Sequence, residues 1–342
     1  MKIIQKQLAT LASLANLSRI GMAPLTMSVP VVGAFAENRQ ISPEAIIGLC
    51  LIGLFAHAFG FSLNDLIDAK VDRANPSRQL SPLVTGQIPI ETAVVFTVFQ
   101  VPAAFFVYLF VFDSSVISLQ LIGMSMALSV LYNLFSKRGR FPRLLAEISL
   151  AASIGCLCLL GSSTQSSPLS LGARLITLAL TLILLLLNSV PNHLKDLLAD
   201  HGSGHSNFAL SVGVTINEDG EIFIPRTLWI YFAAIQLAII ACVIALLSIF
   251  ETPPLQSLLS ILFMVLSGLH LRNLLLRESF IEIRKSYPLL NGYYNYLALS
   301  LILMPWAPSF WILCYWLVVA GFALLPVLFA WQVFRNPYRL VQ

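Results

Sequence analysis

Long apolar runs alternate with short polar intervals along almost the whole chain. The runs repeatedly reach about 20 residues, which is the length that an α-helix needs to cross a bilayer. Stretches such as LITLALTLILLLLNSV are apolar on every side, whereas the strands of a membrane β-barrel alternate apolar and polar positions. The pattern therefore predicts an all-α integral membrane protein in which 1–342 form a single transmembrane domain.

Ten intervals are candidates for membrane spans. The ninth is interrupted by the polar segment NGYYNY and is followed closely by Pro305, so the expected fold is a bundle of nine or ten transmembrane helices. The predicted spans are 12–35, 43–63, 90–112, 115–134, 144–163, 172–190, 227–250, 254–272, 288–306 and 309–333.

Charged residues are scarce, and their positions indicate the orientation. Asp, Glu, Lys and Arg make up 11% of the chain, against roughly 25% in a soluble domain. With ten spans and an internal N-terminus, all 20 lysines and arginines except Arg39 and Arg174 fall on the cytoplasmic side, as the positive-inside rule predicts. We therefore expect a multi-pass protein of a bacterial inner membrane. The basic balance reflects topology, and neither a nucleic acid nor an obligate protein partner is indicated.

Two polar segments share one spacing. NDLIDAKVD and NHLKDLLAD both read Asn-x-x-x-Asp-x-x-x-Asp. Residues four apart lie on one face of a helix, so each segment presents one amide and two carboxylates if its helix continues past the membrane edge. Both segments emerge on the predicted cytoplasmic side. The stripes are Asn64, Asp68 and Asp72 in the first segment and Asn192, Asp196 and Asp200 in the second.

Clustered carboxylates repel one another unless cations lie between them. Oxygen ligands favour Mg²⁺, which usually takes one or two carboxylates together with substrate phosphates. Two facing stripes bridged by Mg²⁺ and a diphosphate account for all of these acids, whereas helix caps and solvated loops are the alternative. The predicted metal ligands are Asn64, Asp65, Asp68, Asp72, Asn192, Asp196 and Asp200.

Basic side chains near the two segments are candidates for diphosphate binding. Lysine acts there as a point charge and arginine as a planar fork. Topological retention on the cytoplasmic side is the alternative explanation. The candidates are Arg73, Arg78, Lys137, Arg138 and Lys195.

The first segment resembles a signature of the UbiA superfamily of intramembrane prenyltransferases. NDLIDAKVDRANP followed by PLVTGQIP is similar to its Asn-Asp-x-x-Asp-x-x-x-Asp motif and Pro-Leu-x-x-Gly element, and KDLLAD with SVG is similar to its second motif. The resemblance implies a helical bundle that transfers a prenyl group from a prenyl diphosphate to a lipophilic acceptor with Mg²⁺. It implies catalytic roles for Asp68, Asp196 and Lys195.

The chain departs from the family pattern at three places. Ser81 stands where many relatives carry Arg, and Asn192 stands where they commonly carry Asp. The segment VTINEDGEIFI alternates like a β-hairpin within 212–224, with Asp219-Gly220 at its turn. This hairpin is either a cap over the site or a surface excursion.

Aromatic side chains and one acid are predicted to line the prenyl and acceptor pocket. Ring faces would stabilise an allylic cation, although anchoring at the membrane interface also enriches tyrosine. Glu147 either faces the acceptor or pairs with Arg143 one turn earlier. The predicted pocket residues are Phe59, Tyr132, Phe135, Glu147 and Tyr293.

Two other functions compete with prenyl transfer to an acceptor. A terpene cyclase on the same scaffold would capture the cation within its own chain and need no acceptor. A secondary transporter is less favoured, because the charges lie at one membrane face whereas transporter sites lie near the midplane.

Overall fold

The structure is a computed structural model that describes residues 2–73, 79–136, 142–195, 197, 207–217 and 220–303. Helices make up most of the described chain. They are α1 (Lys2–Leu17), α2 (Ala23–Phe35), α3 (Pro43–Asp72), α4 (Ile90–Val111), α5 (Val116–Phe135), α6 (Arg143–Ser163), α7 (Leu171–Leu187), α8 (His193–Lys195), α9 (Phe208–Ser211), α10 (Arg226–Ile249), α11 (Pro254–Leu275), α12 (Phe280–Lys285) and α13 (Leu290–Leu303).

Seven helical segments of the described chain are long and apolar enough to cross a membrane, which confirms the all-α membrane class. The predicted span 288–306 corresponds to α13, and 309–333 lies outside the described residues. The count of nine or ten therefore stays a prediction. The seven segments are Pro43–Lys70, Ile90–Val111, Val116–Phe135, Arg143–Ser163, Leu171–Lys195, Arg226–Ile249 and Pro254–Leu275.

The apolar segment that corresponds to the predicted span 12–35 begins later than predicted and is shorter than the seven long segments. α1 ends at Leu17, and Arg19 has a left-handed backbone with φ 47° and ψ 48°. This conformation is uncommon for a residue with a Cβ and cannot continue a right-handed helix. A short 3₁₀ turn (Ile20–Met22) then leads into α2, so the apolar segment is Ile20–Phe35.

The outward faces of the long helices carry large apolar side chains. Phe99 is 62% exposed, Phe110 81% and Ile230 69%. In a bilayer, exposed apolar side chains contact the hydrocarbon chains of the lipid. The backbone N–H and C=O groups of a helix are hydrogen-bonded within the helix, as the absence of water in the bilayer core requires. The distribution is that of a multi-pass membrane protein.

The predicted orientation can be checked by cysteine labelling. With the five native cysteines replaced by alanine, Gln87→Cys and Ser203→Cys should react with an impermeant thiol reagent only from the cytoplasmic side. Gln165→Cys should react only from the opposite side. Comparing right-side-out with inverted vesicles measures this directly. Reaction of positions 87 and 203 from opposite faces would contradict the positive-inside assignment.

The chain divides into two compact units. The first comprises 1–135 and 152–169, and the second comprises 136–151 and 170–342. The helix α6 therefore contributes its first residues to the second unit and its remainder to the first. The first acidic segment belongs to the first unit, and the second acidic segment belongs to the second.

Small residues bring helix backbones together in the first unit. A Cβ on Gly33 of α2 would overlap the carbonyl oxygen of Cys158, and a Cβ on Gly161 of α6 would overlap that of Pro30. The Ser162 hydroxyl donates to the Gly33 carbonyl oxygen at 2.9 Å. Close backbone contact through small residues, supported by an interhelical hydrogen bond, is the usual way in which membrane helices associate.

A buried amide cluster ties three helices of the second unit together. Gln236 of α10 and Asn295 of α13 exchange hydrogen bonds at 3.1 and 3.3 Å. Asn291 donates to the Ser267 hydroxyl of α11 at 2.6 Å. All four residues are 6% exposed or less, so the cluster holds α10, α11 and α13 at a defined register.

The hairpin predicted within 212–224 is present. Its strands are β1 (Thr215–Ile216) and β2 (Ile222–Phe223), paired antiparallel with Thr215 opposite Phe223. Gly220 has φ 81°, which a glycine adopts without a Cβ clash; Asp219 lies outside the described residues. The Ile222 amide donates to the Glu278 carbonyl at 2.6 Å, so the hairpin is joined to the segment between α11 and α12. Its role as a cap stays a prediction.

Candidate functional site

The first acidic segment occupies the last turns of one uninterrupted helix. Since α3 continues to Asp72, Asn64, Asp68 and Asp72 keep the expected four-residue spacing. At about 100° per residue, these three and Asp65 fall within a sector of roughly 100°. The three carboxylate residues are each 4% exposed or less, and buried carboxylates require cations or hydrogen-bond donors. The end of α3 therefore concentrates hard oxygen donors.

Arg19, which sequence reasoning missed, pairs with one of these carboxylates. Its Nη2 donates to Asp65 Oδ1 at 2.9 Å, and its guanidinium carbon lies 4.8 Å from the centre of the Phe61 ring. Its carbonyl oxygen lies 3.2 Å from His57 Nε2. In the sequence, Arg19 stands out as a lone arginine directly before an apolar helix. Its partner lies 46 positions away, so local spacing does not connect the two residues. The predicted role of Asp65 as a metal ligand is not tested by this contact.

The amide of Asn64 is oriented by a neighbouring helix. Its Nδ2 donates to Asn133 Oδ1 at 3.0 Å, and Asn133 in turn donates to the Ser129 carbonyl at 2.9 Å. Within the described part of the chain, the Asn64 carbonyl oxygen accepts no hydrogen bond. Asn133 is a second residue that sequence reasoning did not identify.

The donors of the first segment fit Mg²⁺ by their chemistry. Carboxylate and amide oxygens suit Mg²⁺, which commonly takes only one or two protein carboxylates and completes its coordination with water and phosphate. Among the described residues, no group of three or more His, Cys, Asp or Glu side chains is arranged to hold a metal by itself.

A π-turn that the spacing does not predict leads into the second acidic segment. After α7, the residues Asn188–Asn192 form a π-helical turn that contains Pro191, and α8 follows. Proline lacks the N–H that an α-helical ladder needs, and π-turns within helices are frequent at functional sites. Asp196 and Asp200 lie outside the described residues, so their placement on one stripe with Asn192 stays a prediction.

A chain of hydrogen bonds runs through this π-turn. Lys195 Nζ donates to Asn192 Oδ1 at 2.8 Å, and Asn192 Nδ2 donates to Asn188 Oδ1 at 3.0 Å. Asn188 Nδ2 then donates to Glu147 Oε2. The other Glu147 oxygen lies 3.5 Å from His193 Nε2. Glu147, 2% exposed, therefore turns toward the second acidic segment.

Two further polar side chains contact the π-turn. The Tyr231 hydroxyl donates to Ser189 Oγ at 3.2 Å, and the Ser189 carbonyl oxygen lies 3.1 Å from His193 Nδ1. Sequence reasoning singled out none of Asn188, Ser189, His193 and Tyr231 as site residues. The NSVPNH run, rich in amides and hydroxyls at the end of an apolar helix, was the signal that could have found three of them.

The predicted diphosphate-binding residues are only partly described. Arg73 is exposed directly after α3, where its carbonyl oxygen accepts from Gln79 Nε2 at 3.0 Å. Lys195 is half-buried at the end of α8. Three candidates lie outside the described residues: Arg78, Lys137 and Arg138.

The predicted aromatic pocket residues lie on three helices. Phe59 on α3 is 7% exposed, and Tyr132 and Phe135 on α5 are half-buried. These three belong to the first unit. Tyr293 on α13, in the second unit, is half-buried with its ring 6.4 Å from that of Tyr294. Their assignment to one prenyl pocket stays a prediction.

Several solved structures are similar to this chain in fold. A UbiA homologue from Archaeoglobus fulgidus bound to GPP and Mg²⁺ is 17% identical with a TM-score of 0.59, covering 84% of this chain and 99% of that one. An apo UbiA homologue from Aeropyrum pernix K1 is 16% identical with a TM-score of 0.61, covering 84% and 98%. A structure of digeranylgeranylglyceryl phosphate synthase is 14% identical with a TM-score of 0.56, covering 91% and 98%. At these identities the likeness establishes the fold alone.

Sequence comparison gives a sharper result. No curated protein matches the chain at a significant level. The UbiA prenyltransferase family, however, matches residues 25–285, which include the described donors of both acidic segments. The chain therefore belongs to the UbiA prenyltransferase family.

Proposed function

We propose that this protein transfers a prenyl group from a prenyl diphosphate to a lipophilic acceptor within the membrane, with Mg²⁺ as cofactor. The observation that carries the proposal is the group of oxygen donors at the end of α3, namely the buried carboxylates of Asp68 and Asp72 and the half-buried amide of Asn64. A prenyl diphosphate is amphiphilic, so its anionic head suits a site at the end of a membrane helix while its tail lies among apolar helices. Structures of the Archaeoglobus fulgidus homologue with GPP and with DMAPP, each with Mg²⁺, support this choice of substrate class.

The two acidic segments are proposed to serve one metal-bound diphosphate. When bound, Mg²⁺ would neutralise the charge that develops on the leaving diphosphate. The protein residues hold and orient the ligands. The proposed metal ligands are Asn64, Asp65, Asp68 and Asp72 from the first segment and Asn192, Asp196 and Asp200 from the second. The proposed diphosphate contacts are Arg73, Arg78, Lys137, Arg138 and Lys195.

The prenyl chain and the acceptor are proposed to occupy an aromatic pocket. Faces of Phe59, Tyr132, Phe135 and Tyr293 would stabilise positive charge on the allylic carbon as the diphosphate departs, while exclusion of water protects that carbon from hydrolysis. The motifs are proposed to face the cytoplasm of a bacterial cell.

Product analysis tests the reaction. Purified protein is incubated with labelled prenyl diphosphates of several lengths, with and without a membrane extract, and the labelled product is identified. Prenyl transfer requires a labelled adduct that forms only with the extract. A cyclised hydrocarbon formed from the diphosphate alone would favour the terpene cyclase, and binding of substrate from both sides of proteoliposomes without turnover would favour a transporter.

Turnover should depend on a divalent cation and be highest with Mg²⁺. The described donors at the end of α3 are oxygens, which suit a hard cation. An excess of chelator should abolish product formation, and adding back Mg²⁺ should restore it; the measurement is initial rate against free Mg²⁺ concentration. Full turnover in excess chelator would contradict the proposed site.

A further inference from the structure

The hydrogen-bond chain at the π-turn has a fixed direction. At one end, the Lys195 ammonium can only donate, and at the other end a carboxyl oxygen of Glu147 accepts from Asn188. Between them, each amide donates with Nδ2 toward Glu147 and accepts with Oδ1 from the side of Lys195. An asparagine by itself can present either end of its amide. The two ends of the chain therefore decide which way Asn188 and Asn192 are turned.

Glu147 is the buried end of this hydrogen-bond chain, so its loss would disturb the orientation of both amides. Its side chain is 2% exposed and that of Asn188 is 7% exposed, so water has little access to replace a lost acceptor. Removing the carboxylate would take away a buried acceptor of the Asn188 Nδ2, which is costly. The amide of Asn188 would then turn or move toward another acceptor. Asn192 would then lose the Asn188 Oδ1 to which its Nδ2 donates. That bond is what keeps the Asn192 Oδ1 turned toward Lys195.

We propose that Glu147 is a positioning residue that acts through Asn188 and Asn192 to hold the Lys195 ammonium where it binds the substrate diphosphate. The inference rests on the proposed function, because it takes Lys195 as a diphosphate contact. An ammonium group has three N–H donors, so the same group can bond to Asn192 and to phosphate oxygens. In this role Glu147 acts without touching the acceptor, which distinguishes it from the acceptor contact predicted from the sequence.

Binding of magnesium pyrophosphate, measured by calorimetry on the purified protein, tests the proposal without any turnover. Glu147→Leu should weaken binding about tenfold, which is the typical loss when a hydrogen bond to a charged group is removed. Glu147→Gln should stay within about twofold of wild type, because its Oε1 can still accept from Asn188. In turnover assays, Glu147→Leu should raise KM for the prenyl diphosphate and leave KM for the acceptor unchanged.

A double-mutant cycle with Lys195 decides whether the effect travels along the chain. Lys195→Met should weaken pyrophosphate binding, and adding Glu147→Leu to it should cause no further loss, since interacting residues are not additive. If Glu147→Leu folds poorly, Asn188→Leu takes its place in the test and should weaken pyrophosphate binding by the same factor. Gln236→Leu is the matched control, because it also removes buried hydrogen bonds in the same unit. It should lower the melting temperature and leave pyrophosphate affinity unchanged.

Three results would overturn the positioning role. One is unchanged pyrophosphate binding in both Glu147→Leu and Asn188→Leu. Another is an undiminished effect of Glu147→Leu in the Lys195→Met background. The third is an equal loss of pyrophosphate binding in Glu147→Gln and Glu147→Leu. That result would mean that the charge of Glu147 acts directly on the bound ligand and not through Asn188. A wild-type protein that binds neither pyrophosphate nor prenyl diphosphate with Mg²⁺ would instead refute the proposed function.

Discussion

Asp68→Asn is expected to lower turnover by about a hundredfold or more, the scale on which electrostatic stabilisation of a reacting group is lost. Asp68 is 4% exposed on the last turns of α3, and asparagine has nearly the same shape but no charge. Removing one anionic oxygen ligand should weaken the hold on Mg²⁺ and on the departing diphosphate. The measurement is kcat at saturating Mg²⁺, with thermal unfolding to show that the variant is folded.

Asp196→Asn is expected to have an effect of similar size, because both acidic segments are proposed to serve the same metal-bound diphosphate. The double variant should be little worse than either single one, since catalytic groups that act as a unit are far from additive. Glu251→Gln, at an exposed position, is the control and should match wild type. Independent multiplication of the two losses, or a harmless Asp196→Asn, would show that the segments do not act together.

Gly161→Val should prevent stable folding of the first unit. A Cβ at this position would overlap the Pro30 carbonyl oxygen, and a backbone atom cannot move aside as a flexible side chain can. Overpacking typically costs 1–3 kcal/mol, and a clash with backbone belongs at about 3 kcal/mol or more. Separating α2 from α6 would also break the bond from Ser162 to Gly33. The measurement is the melting temperature and the monodisperse yield in detergent.

Gly33→Val should have the same effect for the same reason, because its Cβ would overlap the Cys158 carbonyl oxygen. Gly268→Val on α11 is the matched control: among the described residues, no atom lies within 4 Å of the Cβ it would gain. It should fold like wild type. Equal losses in all three variants would point to a general cost of valine in these helices, and normal yields of Gly33→Val and Gly161→Val would contradict the close packing.

The membrane class and the first acidic segment could be predicted because both depend on local properties. Hydropathy over about 20 residues indicates whether a helix is stable in lipid. It located the seven long spans to within a few residues, except that α3 and the α7–α8 segment continue past the predicted ends of their spans. The four-residue spacing of Asn64, Asp68 and Asp72 needs only an unbroken helix, and α3 supplies one. The hairpin followed in the same way from alternation around a glycine turn.

The π-turn that leads into the second segment could not be predicted from the spacing, for an equally physical reason. Asn188–Asn192 form a π-turn with Pro191, and a proline also occurs inside α2 and α4 without a π-turn being formed there. The local geometry around a proline depends on its surroundings, because the polar groups beside it need hydrogen-bond partners from other helices. Here those partners include Glu147 and Tyr231, on α6 and α10.

The sequence by itself determined that the long helices of this protein suit a bilayer and that α3 ends in oxygen donors. Tertiary structure alone decided how those donors are held. Arg19 pairs with Asp65 across 46 positions, and Glu147 accepts from Asn188 across 41. Hydropathy and helical period act over one or two turns, whereas a buried hydrogen bond exists only where folding brings donor and acceptor within about 3 Å.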